Sequence, residues 1–84
     1  MSLTGQQLRA ARGALTWSLE TLAAASGVSV ATLKRYEAVD GQPNSRKDHL
    51  RRLREVFEAA GIEFIGTPED RPGIRIGPPP LGPE

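Results

Sequence analysis

An apolar residue, then a Ser or Thr, then an apolar residue four places further on: this spacing recurs as Leu3-Thr4-Leu8, Trp17-Ser18-Leu22 and Val28-Ser29-Leu33. Each set is the signature of a helix N-terminus. The hydroxyl accepts a backbone N–H of the first turn that has no partner within the helix, and the flanking apolar pair packs as a staple that fixes how the chain enters. Three such starts so close together restrict the N-terminal half to short helices joined by tight turns. Gln7 also lies where a capping box needs it, while Thr21 and Thr32 hold the equivalent positions of the other two and are weaker by that criterion.

The first helix is expected from Gly5 to Ala14, burying Leu8, Ala11 and, just beyond it, Leu15. The second is expected from Leu19 to Ser26, stopping at Gly27, the residue best suited to the left-handed position after a helix. Only Gly27 and Val28 then precede the cap of a third helix, Val30 to Ala38. So short a link forces the two helices to cross at a large angle, the helix-turn-helix arrangement. The stretch AVDGQPN reads as a loop, and a fourth helix from about Arg46 to Ala60 places Leu50, Leu53, Phe57 and Ala60 on one stripe before Gly61.

After Gly61 the period changes. IEFI (62–65) and IRI (74–76) alternate around the turn-forming GTPEDRPG, which predicts a two-stranded ribbon. GPPPLGPE (77–84) is expected to be an extended or disordered Pro-rich tail. The chain therefore divides into a helix-turn-helix domain (1–61), a ribbon (62–76) and a tail (77–84). A core built from 84 residues is marginal and a lone hairpin more so, so the ribbon is expected to make a homodimer, the alternative being that it folds back onto the fourth helix of its own chain and completes a monomer core. Phe57, Ile62, Phe64, Ile65, Ile74 and Ile76 are the expected interface.

The absence of cysteine removes disulfides, thiolate metal sites and cysteine nucleophiles together. No apolar run is long enough for a bilayer and no N-terminal targeting pattern is present, so a cytoplasmic location is expected. No nucleophile, base and orienting group can be assembled, which argues against an enzyme, and no cofactor or metal is implied. His49, the only histidine, has no ligand constellation around it, and Trp17 reads as a core staple. Tyr36 is expected to be partly buried with its hydroxyl at the surface. Arg51-Glu55 and Arg54-Glu58 read as solvating pairs on the fourth helix.

The formal charge of +1 conceals an uneven distribution: residues 30–54 hold seven cations against three acids, and residues 55–84 two against six. A basic middle of this kind points to a localised polyanion site. WSLETLAAASGVSVATLKRYE (17–37) resembles the helix-turn-helix of the phage-repressor and Cro-like, xenobiotic-response-element regulators, through Leu22-Ala23, Gly27-Val28-Ser29, Thr32-Leu33 and Glu37. The similarity covers roughly residues 4–61. It implies a mainly α, four- or five-helix lambda-repressor-like DNA-binding domain, here followed by a β ribbon, that acts on double-stranded DNA. It also implies that Val30, Ala31 and Arg35 meet base edges, with Thr32 and Lys34 flanking them, and that Arg12 and Glu37 form a structural ion pair. One departure is Leu19, at a position where relatives commonly carry a phosphate-holding Gln.

Physical chemistry supports the same face. Small residues at the start of a recognition helix let its backbone approach the bases, and Arg35, one turn beyond Ala31, suits a bidentate contact to guanine. Lys34 shares that turn and reaches a base or a phosphate. Cations in the first turn of the fourth helix oppose its macrodipole, so Arg46 and Lys47 make sense if a phosphate lies there. Ser29, Thr32, Gln42 and Asn44 complete the expected phosphate contacts. An antitoxin-like or adaptor module that uses the same fold to hold a protein partner is the alternative.

Overall fold

The computed structural model describes residues 3–78, so the expected tail lies outside the described residues from Pro79 onward. Four helices come first: α1 (Gly5–Ala14), α2 (Leu19–Ser26), α3 (Val30–Glu37) and α4 (Lys47–Ala59). Two antiparallel strands follow, β1 (Ile62–Thr67) and β2 (Asp70–Ile76). The mainly α architecture with a C-terminal ribbon is the one expected.

The three capped starts form as local chemistry dictates. Thr4, Ser18 and Ser29 each accept the N–H of the residue three places on, at 3.0, 3.0 and 3.2 Å. Around Thr4 the capping box is complete, with Gln7 Oε1 accepting the Thr4 N–H at 2.9 Å. Gly27 ends α2 at φ +76°, a conformation that costs other residues a clash of Cβ with the backbone. The α4 boundary differs from the expected one. Arg46 is the N-cap, outside the helix, and its side chain makes no capping bond.

Leu3, Leu8, Ala11, Leu22, Val28, Leu33, Tyr36, Leu50, Leu53 and Phe57 form one buried core that Ile62 and Phe64 join from the ribbon. Phe57 stacks against Trp17 at 5.8 Å between ring centroids and meets Phe64 edge-on at 5.9 Å. This corrects the expected interface. Phe57, Ile62 and Phe64 are 0, 2 and 8% exposed within one chain, because the ribbon folds back onto α4 and completes the domain's own core. Ile65 and Ile74 are half-buried, and only Ile76, 68% exposed, stands clear.

The strands pair Ile62 with Ile76 and Phe64 with Ile74, and a register shift between Ile65 and Thr67 lets them run longer than the alternating pattern suggested. Pro72 is tolerated because a two-stranded ribbon consists only of edges. Among the described residues, no helix is long and apolar enough to cross a membrane.

Candidate nucleic-acid interface

Burial divides α3 cleanly. Leu33, Tyr36 and Glu37 turn into the protein, whereas Ala31, Lys34 and Arg35 are exposed and Val30 is half-buried beside them. The helix therefore presents its first turn and the following cations to solvent as one face. The Arg35 guanidinium stands 5.7 Å from the centre of the Tyr36 ring, a cation–π contact that restrains it while leaving its donors free.

Ion pairing decides which of the many cations are available. Seven arginines pair with carboxylates among the described residues. Arg9 pairs with Asp40, Arg12 with Glu37, Arg71 with Asp70 and Arg75 with Glu63. On α4, Arg51, Arg52 and Arg54 pair with Glu55, Asp48 and Glu58. No such pair engages Lys34, Arg35 or Arg46. The basic middle of the sequence thus contracts to cations on α3 and on the loop before α4, and the arginine-rich face of α4 is neutralised by its own acids. The side chain of Lys47 lies outside what the structure describes.

Arg35, Asn44 and Arg46 line one concavity with Tyr36, Val39, Pro43 and Ser45. It brings the recognition helix and the N-terminus of α4 to a common rim, with Gln42 exposed nearby. The cap of α3 limits what Ser29 offers: its hydroxyl accepts from the Thr32 N–H and donates to Thr32 Oγ1 at 2.9 Å. Thr32 keeps its own hydroxyl proton for a partner outside.

Two supports behind this face were not legible in the sequence. Tyr36 is buried, contrary to expectation, and its hydroxyl sits 2.6 Å from His49 Nδ1 while accepting the Arg46 N–H at 3.4 Å. The only histidine therefore ties α4 to the recognition helix. Arg9 donates to the carbonyls of Glu37 and Val39 and pairs with Asp40, holding the chain as it leaves α3. Backbone carbonyls about 30 residues away leave no mark in a sequence pattern.

Arg12 and Glu37 form a two-pronged ion pair, both contacts 2.9 Å, and a third Arg12 donor reaches the Trp17 carbonyl at 3.0 Å. The hydrogen bond to Glu37 raises the Arg12 pKa above its ordinary value against the opposing effect of burial. The pair locks the end of α3 to α1.

A capped helix pair crossing at a one-glycine turn, with an outward face of small residues followed by unpaired cations, defines a helix-turn-helix DNA-binding domain. The helix-turn-helix family model matches residues 8–58, and the chain belongs to this family of xenobiotic-response-element and lambda-repressor-like regulators. Comparison with curated proteins and with solved structures returns no match. Membership makes the chain a DNA-binding regulator whose partner is double-stranded DNA.

Proposed function

We propose that the chain is a sequence-specific transcriptional regulator that reads the major groove with Val30, Ala31, Lys34 and Arg35 and binds as a homodimer. The observation that carries this reading is that, among the described side chains, unpaired positive charge is confined to Lys34, Arg35 and Arg46, on and beside the outward face of α3. Val30 and Ala31 allow close approach and offer methyl contacts to thymine, and Arg35 supplies the bidentate contact to a guanine edge. Thr32, Gln42, Asn44, Arg46 and Lys47 hold phosphates, joined by the first N–H groups of α4, the one helix whose cap residue gives no side-chain bond. Ser29 acts through Thr32, which it orients.

The dimer rests on the ribbon. Both outer edges of a two-stranded sheet are unpaired, and Ile76 stands exposed at the end of β2. A second copy adding its β2 beside this edge covers Ile76 and the half-buried rim of Ile74, which share one face of the ribbon. Two recognition helices then face successive major grooves about 34 Å apart on a nearly palindromic site.

Selection of bound sites from random duplex DNA tests the reading. Enrichment of a two-fold symmetric sequence is expected. Recovery of no sequence, with binding insensitive to salt, overturns it and favours a protein partner on the same face.

A further inference from the structure

Gln7 lies where two hydrogen-bond networks meet. It sits in the first turn of α1 and is 4% exposed. Its Oε1 accepts the Thr4 N–H at 2.9 Å and the Thr4 hydroxyl at 3.3 Å. Its Nε2 donates to the Ile65 carbonyl at 3.1 Å and to the Gly73 carbonyl at 2.9 Å. A side-chain amide has two protons to give and two lone pairs to receive with, so every valence is used. Ile65 and Gly73 are directly opposed in the ribbon. One amide therefore bridges both strands.

The same turn of α1 also holds the chain that leaves the recognition helix. The Gly5 N–H donates to the Gly41 carbonyl at 2.8 Å and the Gln6 N–H to the Asp40 carbonyl at 3.4 Å. Arg9 grips the carbonyls of Glu37 and Val39 from one turn on. Residues 5–9 thus fasten the DNA-facing loop on one side and the ribbon on the other. Among the described residues, the two bonds from Gln7 are the only ones that run from a helix side chain to a strand of the ribbon. The remaining attachment is the packing of Ile62 and Phe64 against Phe57, with the Arg54 guanidinium of α4 standing 5.7 Å from the centre of the Phe64 ring. Apolar packing sets how close the ribbon lies, but it is non-directional; hydrogen bonds have preferred angles and set its rotation.

We infer that Gln7 is a positioning residue that fixes the angle between the ribbon and the recognition helix, and through it the half-site spacing a ribbon-joined dimer selects. The inference rests on the dimer described above. In such a dimer any rotation of the ribbon against α1 swings the second recognition helix away from its groove. One added base pair displaces a half-site by about 3.4 Å and turns it by about 35° around the duplex, so a rigid joint tolerates few spacings.

The probe is a set of duplexes carrying two copies of the selected half-site, with up to two base pairs inserted or removed between them. Gln7→Glu is the informative variant. Its carboxylate keeps the capping box with Thr4 but turns an acceptor toward the Ile65 and Gly73 carbonyls, where the amide had donors. If its melt shows incomplete folding, Gln7→Met replaces it, keeping chain length and apolar bulk while removing both donors. The wild-type protein should favour one spacing by at least about tenfold. The variant should bind all spacings within about threefold of one another, still sediment as a dimer, and bind an isolated half-site within about twofold of wild type, since no DNA-facing residue has changed. A folded variant that keeps the sharp wild-type preference overturns the role of Gln7 while leaving the dimer intact. A wild-type protein that sediments as a monomer and shows no spacing preference overturns the dimer, and the role of Gln7 with it.

Discussion

Replacing Arg12 with methionine should be among the most damaging single changes away from the DNA-facing surface, and the structure sets its size. The Glu37 side chain is 8% exposed, and both of its oxygens are held by Arg12 at 2.9 Å. Removing the guanidinium leaves a nearly buried carboxylate with no cation, a situation that costs about 3–5 kcal/mol. A domain of 84 residues has a total stability of about 4–13 kcal/mol, so the loss is a large share of it. The converse change, Glu37→Leu, should cost less, about 1–2 kcal/mol, because Arg12 is 27% exposed and keeps the Trp17 carbonyl. The double variant removes both charges and should recover part of the Arg12→Met loss. At about 4 °C or more per kcal/mol, Arg12→Met should lower the melting temperature by at least about 12 °C. A guanidinium whose pKa is raised in the fold contributes fully at every pH below the ordinary arginine range and loses that contribution only above it. The deficit should therefore be the same at pH 6 and pH 9. Thermal melts of the two single variants and the double decide the matter. Losses that are small and simply additive would mean instead that water already serves both charges and that the pair holds nothing.

Other expectations follow from particular contacts. Arg35→Ala should cost about 1–3 kcal/mol on the best site and relax preference at one base pair, whereas Arg46→Ala should weaken all sequences alike and lower the salt slope by about one; titrations on specific and random duplexes separate them. Gly5→Ala should be strongly destabilising by melt, because its Cβ would run into the backbone carbonyls of Val39 and Tyr36, while Gly13→Ala meets open space and should gain about 0.5–1 kcal/mol. Truncation after Gly61 strips Ile62 and Phe64 from Phe57 and should lose about 1.5–3 kcal/mol for each, visible as a lowered urea midpoint, so it is a poor route to a monomer. Ile76→Glu leaves the domain's core untouched and should give a folded monomer by sedimentation.

What the sequence disclosed and what it withheld divide by distance along the chain. The starts of α1, α2 and α3 were legible because a cap is written within four residues, as Thr4, Ser18 and Ser29 show. The start of α4 was misplaced by one residue because Arg46 carries no capping chemistry to mark it. The outward face of α3 followed from helical spacing and from the family resemblance. That Lys34, Arg35 and Arg46 are unpaired among the described side chains followed only in part: the spacing marked Arg51-Glu55 and Arg54-Glu58 as pairs, but not Arg52 with Asp48 or Arg9 with Asp40. The alternating pattern of the ribbon announced an apolar face in need of cover but not whose surface would cover it, and Phe57 of the same chain does so. Gln7 was readable only as half of a capping box. Its other half, the bridge to Ile65 and Gly73, spans 58 and 66 residues of sequence. The burial of the Tyr36 hydroxyl against His49 was hidden in the same way.

The surface bearing Val30, Ala31, Lys34, Arg35 and Arg46 is the one proposed to meet DNA. Titration of isotope-labelled protein with the selected duplex, followed by NMR through backbone amide and arginine side-chain signals, tests it most directly. The largest shifts should fall on residues 29–35 and 42–47, with the Arg35 and Arg46 guanidinium signals moving and those of Arg51, Arg52 and Arg54 staying in place. Shifts concentrated on the outer face of α4 or on the ribbon, with α3 unmoved, would contradict it.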